Sequence, residues 1–326
     1  MNEGPLLQST KLSAVQRRFS PADLVWKTVG VAALAISVWM LSRELRHLSL
    51  QEIGSKLFAL SPMIWFAAGA AALAAYLLLG AYERLALHYL GKRIDPIFVH
   101  VCAAATYAFA HMVGASVFSG AVLRYRAYSS KGLVASEIAK LVAFCTLTFC
   151  LGIVTVLGVV LLLQPTIVDR FIDTFPIDFT NYTGKLAVGG VFVYVLIALI
   201  PVGAIRLRSS TISYPKFGVA LLQVLVSSME LLAAALIMYV ALPAASNPRF
   251  IIVTGVFVLS FAAALLSHAP GGLGVFELAF LTGLTEVPEI DVLAALVVFR
   301  LYYFVLPFIF SVVVMTVFET RYRRTV

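Results

Sequence analysis

The 326-residue chain is 61% hydrophobic, only 12% charged, and has a mean hydropathy of +0.98, values that exclude a soluble globular domain and leave a polytopic membrane protein. Its net charge of +8 and isoelectric point near 9.5 come from Lys and Arg scattered through short connections beside apolar runs. That pattern orients membrane spans and offers no contiguous basic face for nucleic acid.

Residues 1–23 read as a cytoplasmic segment. No short apolar core with a small-residue cleavage site is present there, so the first apolar run, 24–42, reads as a retained anchor. Runs able to cross about 30 Å of hydrocarbon follow at 62–82, 138–163, 186–204, 217–242, 250–268 and 291–318. The longest polar interruption after the first segment, 164–185, is too short for a water-soluble catalytic domain. A basic tail, 319–326, closes the chain, and 24–318 reads as one transmembrane domain.

Two further apolar runs are broken. Residues 97–123 carry Gly114, Ser116, Ser119 and Gly120, and residues 269–286 carry Pro270, Gly271, Gly272 and Gly274. Proline removes a backbone donor, and clustered glycines weaken a helix. At membrane depth such backbone persists only where protein or a wet cavity satisfies it, so these segments are candidates for a working site. The expected fold is an all-α transmembrane bundle of about 8 spans with broken or re-entrant segments near 97–123 and 269–286.

Charge sets a direction. If 97–123 dips in and returns while 271–286 crosses, 15 Lys and Arg fall inside and 6 outside, with both termini cytoplasmic. The reverse assignment gives 12 and 9. The first also puts the acidic, Thr-rich stretch Asp169 to Lys185 outside.

Ionisable groups within spans carry most of the information, because each costs about 2.5–3.5 kcal/mol at a helix centre. Glu230 and Arg300 fall at depths about one helical turn apart and are expected to pair. The pair reads either as a structural tie between helices or as a site that binds a headgroup, with Glu230 coupling to protons. Arg300 is followed by Tyr302 and Tyr303, a donor set suited to phosphate. Arg124, Tyr125, Arg126 and Tyr128 follow the first broken run as a headgroup-binding edge or an interfacial anchor. Gly274 with Glu277 three residues on reads as a helix cap, and a capped half-helix also presents N–H groups to phosphate. His268 reads as a satisfied interior histidine or a headgroup contact. Glu83 and Arg84 read as an interfacial pair. His100 and His111 have no third ligand near in sequence, so no metal site is expected. Cys102, Cys145 and Cys150 read as packing or lipid-facing residues. No conventional catalytic, nucleotide-binding or cofactor motif is present.

Three motifs in order carry a resemblance: Arg124-Tyr125-Arg126-Ala127-Tyr128 with Gly132-Leu133; His268 through Glu277, including Gly271, Gly272 and Gly274; and Arg300-Leu301-Tyr302-Tyr303 with Pro307. Together they resemble the YbhN-like family of bacterial inner-membrane proteins, which is similar to the transmembrane flippase region of lysylphosphatidylglycerol synthetases. The resemblance implies a bacterial cytoplasmic-membrane protein that handles an anionic or aminoacylated phospholipid, with these residues at the headgroup. It implies no lysyl transfer, because the soluble transferase domain of those synthetases has no counterpart in this sequence. The expected function is phospholipid translocation. The alternatives are a membrane-embedded transferase or lipid-presenting subunit for a separate synthesising enzyme, and a structural scaffold.

Overall fold

The computed structural model describes residues 50–113, 116–171, 182–200, 205–207, 210–267 and 270–325; the run 24–42 and His268 lie outside the described residues. Helix α1 (Leu50–Ala59) precedes α2 (Pro62–Tyr89), whose proline sits in the first turn, where a missing N–H breaks no helical bond. α3 (Pro96–Val113), α4 (Ser116–Ser129) and α5 (Ala135–Leu163) follow, then a 3-10 turn (Pro165–Phe171) and α6 (Thr183–Ile197). After α7 (Phe217–Ala241) and α8 (Phe250–Leu266) comes a 3-10 turn at Pro270–Gly272, then α9 (Val275–Gly283). The chain closes through α10 (Glu289–Phe299), a π-helical turn (Arg300–Val305) and α11 (Leu306–Thr325). One feature departs from the all-α expectation: three-residue strands β1 (Ile205–Leu207) and β2 (Ser210–Ile212) pair antiparallel.

Among the described residues, five stretches are long and apolar enough to cross a membrane: Pro62–Tyr89, Pro96–Val113, Ala135–Leu163, Phe217–Ala241 and Glu289–Phe318. α6 and α8 are shorter apolar helices. The side-chain distribution is that of a bundle in lipid. Phe66, Leu73 and Leu77 of α2 and Leu222, Leu225 and Met229 of α7 point outward, while Ala68, Ala71, Ala72, Ala75, Ala234 and Ala235 are buried. Hydrocarbon gives helices no hydrophobic drive to associate, so small residues on the inner faces supply close packing instead.

Both broken runs fold as antiparallel hairpins. In the first, Phe98 meets Tyr128 (ring centroids 6.1 Å), Arg124 lies over Tyr107, and a Cβ on Gly120 would lie 3.6 Å from that of Ala110. In the second, Gly272 abuts Ala264, Phe276 packs on Phe257 and Phe261, and Gly283 abuts Val256. The expectation that 271–286 crosses is corrected here. α9 has nine residues and rises only about 13 Å, well short of the hydrocarbon thickness. The segment turns back because Gly271, Gly272 and Gly274 hold φ of 62°, 65° and 81°, where other residues are strained. The charge balance is unaffected, since two limbs that both return leave the flanking loops on the same side.

The order helix, hairpin, long helix occurs twice. α2, α3–α4 and α5 start at Pro62, Pro96 and Ala135; α7, α8–α9 and α10–α11 start at Phe217, Phe250 and Glu289, at a near-constant interval. The two units are inverted relative to each other. Tyr89 at the end of α2 donates to the Ser213 carbonyl just ahead of α7 (2.5 Å), while Tyr82 reaches Glu230 farther along, so the equivalent helices α2 and α7 run antiparallel. The cross-contacts obey the same two-fold relation. α3 packs on α11 through Phe109–Phe308 (6.1 Å) and a Ser311 hydroxyl donating to the Ala105 carbonyl (2.6 Å), and α8 packs on α5 through Phe261–Phe149 (6.2 Å).

Outside the bundle core, Arg170 donates to both Glu286 oxygens (2.7 and 2.9 Å) and to the Gly283 carbonyl (2.8 Å), fastening the Pro165–Phe171 turn to the base of the second hairpin. Arg170 holds the Glu286 carboxyl below its ordinary value of 4.5. Because the folded-state value is the lower one, this tie is complete above the unfolded value and is lost as pH falls through the folded one. Arg170→Ala should cost about 1 kcal/mol or less, as expected of a part-exposed pair, and should flatten the stability change below pH 4.5, read by thermal unfolding across pH.

Candidate functional site

The helical period sorts the first motif. Arg124 and Tyr128, one turn apart on α4, point inward, whereas Tyr125 and Arg126 are exposed on the outer face. Arg124 Nε donates to Glu83 Oε1 (2.7 Å), and the Tyr128 hydroxyl donates to the other oxygen of the same carboxylate. Glu83 is fully buried, and its partner is not Arg84, which is exposed. The expected interfacial pair fails because α2 continues to Tyr89, well past the apolar run, and carries Glu83 into the bundle.

The second motif closes a similar knot. The Gly274 N–H donates to Glu277 Oε2 (2.9 Å), the expected cap, and Arg300 donates through Nε (2.7 Å) and Nη2 to Glu277 Oε1. Arg300 Nη1 donates to the Gly271 carbonyl (2.6 Å). Arg300 and Glu277 are 4% and 5% exposed, so this is a buried charge pair built across the glycine turn. The expected pairing of Arg300 with Glu230 does not form. Glu277, 23 residues before Arg300, is closer and leaves no guanidinium nitrogen over.

Glu230 is held instead by hydroxyls. Tyr303 donates to Oε1 (2.7 Å) and Tyr82 to Oε2 (3.3 Å). Pro307 explains a neighbouring contact. In a regular helix the Tyr303 carbonyl accepts from residue 307, and proline has no N–H to give. That carbonyl accepts the Tyr76 hydroxyl (2.9 Å). Tyr302 faces elsewhere, against Gly69 and Trp65 of α2, and packs rather than joining the charged groups.

Contacts link these three places. Arg124 lies over the Tyr107 ring (4.6 Å), Tyr107 neighbours His111 (6.1 Å), His111 stacks on Tyr303 (5.2 Å), and Arg300 lies over Phe304 (4.6 Å). The second hairpin's turn meets the end of α3 here: a Cβ on Gly271 would lie 3.6 Å from the Met112 carbonyl oxygen and 3.7 Å from that of His111. The result is a chain of polar and aromatic groups from one hairpin to the other, buried at Arg124, Arg300 and Tyr303 and half-buried at Tyr107 and His111. Sequence reasoning missed Tyr76, Tyr82, Tyr107 and His111 as members; only an aromatic or histidine inside an apolar run signalled them. Among the described residues no cluster of His, Cys, Asp or Glu is arranged for a metal ion. Cys102 and Cys145 are buried, Cys150 is exposed, and all three are free thiols.

No protein-family model matches the chain. It is 30% identical over 285 residues to the Synechocystis protein slr0712, covering 86% of this chain and 87% of that one. To the inner membrane protein YbhN of Escherichia coli K12 it is 25% identical over 255 residues, 76% and 78% of the two chains. The chain belongs to the YbhN-like family. It is thus a multi-pass inner-membrane protein. A shorter stretch, 95 residues, is 40% identical to the phosphatidylglycerol lysyltransferase of Staphylococcus haemolyticus, covering 28% of this chain and 11% of that enzyme. That similarity falls in the enzyme's membrane part.

For this YbhN-like chain the buried pairs make a stability prediction. Arg300→Leu leaves Glu277 charged and unpaired and should cost about 3–5 kcal/mol, while Arg300→Leu with Glu277→Leu should recover most of it. Thermal unfolding of the detergent-purified protein measures both.

Proposed function

We propose that the protein binds a phospholipid by its headgroup and carries it between leaflets, as a translocase without transferase activity. The observation that supports this reading is the buried chain of charged and hydroxyl groups between two inverted hairpins, inside a bundle whose outer face is apolar. A headgroup needs a polar route while its acyl tails stay in hydrocarbon, and this arrangement supplies both. The similarity to a phosphatidylglycerol lysyltransferase favours an anionic or aminoacylated lipid. Headgroup contacts are drawn from Arg124, Tyr128, Gly271, Gly272, Gly274, Glu277, Arg300 and Tyr303. Tyr125, Arg126 and Tyr302 lie off the route, and His268 is outside the described residues.

In the membrane, both termini face the cytoplasm, about 8 segments cross or dip, and the two hairpins enter from opposite faces. Inverted repeats with discontinuous helices meeting near the midplane are a recurrent transporter design. Glu230 is the coupling group. Its named hydrogen-bond partners are neutral hydroxyls, so gaining or losing a proton changes its charge without breaking an ion pair. Movement is passive or proton-coupled, since no nucleotide-binding motif is present.

The lysyltransferase similarity also favours a second reading, a subunit that presents lipid to a separate enzyme. Proteoliposomes separate the two, because a translocase exchanges a labelled phospholipid between leaflets and makes no new lipid species. Glu230→Gln should slow exchange about tenfold and abolish its pH dependence. Unchanged exchange in that variant rules out the coupling role, and no exchange by the unaltered protein rules out translocation.

A further inference from the structure

Two interior nitrogens have no hydrogen-bond partner among the described residues: Nη2 of Arg124 and Nδ1 of His111. The groups around them are closed. Arg300 uses all three nitrogens, Glu83 takes Arg124 and Tyr128, and Glu277 takes Arg300 and the Gly274 N–H. A buried donor on a charged group is expensive to leave open, so one that stays open inside a native fold calls for a ligand or ordered water.

The open atoms belong to side chains that flank one ring. The Arg124 guanidinium lies 4.6 Å over the Tyr107 centroid, and the His111 ring, one turn along α3, is 6.1 Å from the same ring. Arg124 is 4% exposed and cannot turn out to solvent while Nε holds Glu83. Gly120 makes room for it: a Cβ there would lie 2.9 Å from Arg124 Nη1, so the guanidinium folds back along α4 toward the hairpin turn. A cationic donor and an imidazole nitrogen on side chains that flank the same ring, with the Glu83 carboxylate already paired, suit an oxyanion and repel a cation.

We propose that Arg124 Nη2 and His111 Nδ1 together seat the phosphodiester of an anionic phospholipid between the limbs of the first hairpin. This rests on the lipid-carrier reading and sharpens it: of the two buried arginines, Arg124 receives the phosphate and Arg300 holds the second hairpin closed. His111 joins the site as a donor through the tautomer protonated at Nδ1.

Native mass spectrometry of the full-length detergent-purified protein, offered phosphatidylglycerol or diacylglycerol with the same tails, tests the assignment. His111→Phe keeps the ring between Tyr107 and Tyr303 but removes the nitrogen, and His111→Asn restores an amide nitrogen near the Nδ1 position. The unaltered protein should retain phosphatidylglycerol over diacylglycerol, His111→Phe should lower that retention about tenfold at unchanged melting temperature, and His111→Asn should recover most of it. Equal retention of phosphatidylglycerol by His111→Phe overturns this site and leaves the carrier reading standing. No preference for phosphatidylglycerol in the unaltered protein overturns both. If inorganic phosphate binds the unaltered protein but not His111→Phe, with no lipid preference, the seat takes free phosphate and the lipid assignment falls.

Discussion

Backbone that leaves the helix inside hydrocarbon has to find its hydrogen-bond partners in protein, because lipid offers none. Much of this architecture answers that demand. The glycine turn at 271–274 gives the Gly271 carbonyl to Arg300 and the Gly274 N–H to Glu277, and Arg300 and Glu277 then neutralise each other. Pro307 frees the Tyr303 carbonyl, which takes the Tyr76 hydroxyl from the other unit. The glycine turn of the second hairpin abuts the end of α3, which shields it from lipid. A break in this hairpin is therefore tolerable because the first unit stands against it.

The two buried ion pairs are distributed in a way that matters for movement. Glu83–Arg124 and Glu277–Arg300 each lie within one unit. Buried pairs are poor sources of net stability but strong constraints on geometry, because separating the partners strands a charge. Each unit thus keeps its own hairpin fixed to its own long helix. The buried polar contacts named across the seam are made by neutral donors: Tyr82 on Glu230, Tyr76 on the Tyr303 carbonyl, Ser311 on the Ala105 carbonyl and the Gln223 amide on the Thr148 hydroxyl. Such bonds are worth about 1 kcal/mol each and exchange readily for water or for one another.

The same distribution explains what could be read from the sequence. Apolar runs from residue 62 onward each contain a helix, since length and hydropathy dictate a span whatever its neighbours. The glycine turn and its Glu277 cap were legible because both are local. The partner of Arg300 was not: depth along two helices allows Glu230, but only the returning hairpin brings Glu277 closer. Glu83 was misplaced because the hydropathy run ends at residue 82 while the helix runs on to Tyr89. The repeat was invisible for a related reason. At equivalent positions Gly120 matches Gly274, yet Arg124 matches Leu278 and Glu277 matches Leu123, so the units share a backbone plan and few side chains.

That mismatch bears on how a carrier of this design would work. Two identical inverted units would give two arrangements of equal energy, one open to each face, and lipid would cross with no preferred resting state. Here the units differ where it counts. The first hairpin carries the arginine and takes its carboxylate from the preceding helix, while the second carries the carboxylate and takes its arginine from the following one. The second is further fastened at its base by Arg170 through Glu286 and the Gly283 carbonyl. Under the lipid-carrier reading, a phosphate drawn to the first hairpin meets the open Nη2 of Arg124 there, whereas the second hairpin offers only a closed Glu277–Arg300 pair. On that reading, the asymmetry gives the route a resting side, and Glu230, held by hydroxyls from both units at their seam, is the group whose charge decides how easily the seam shifts.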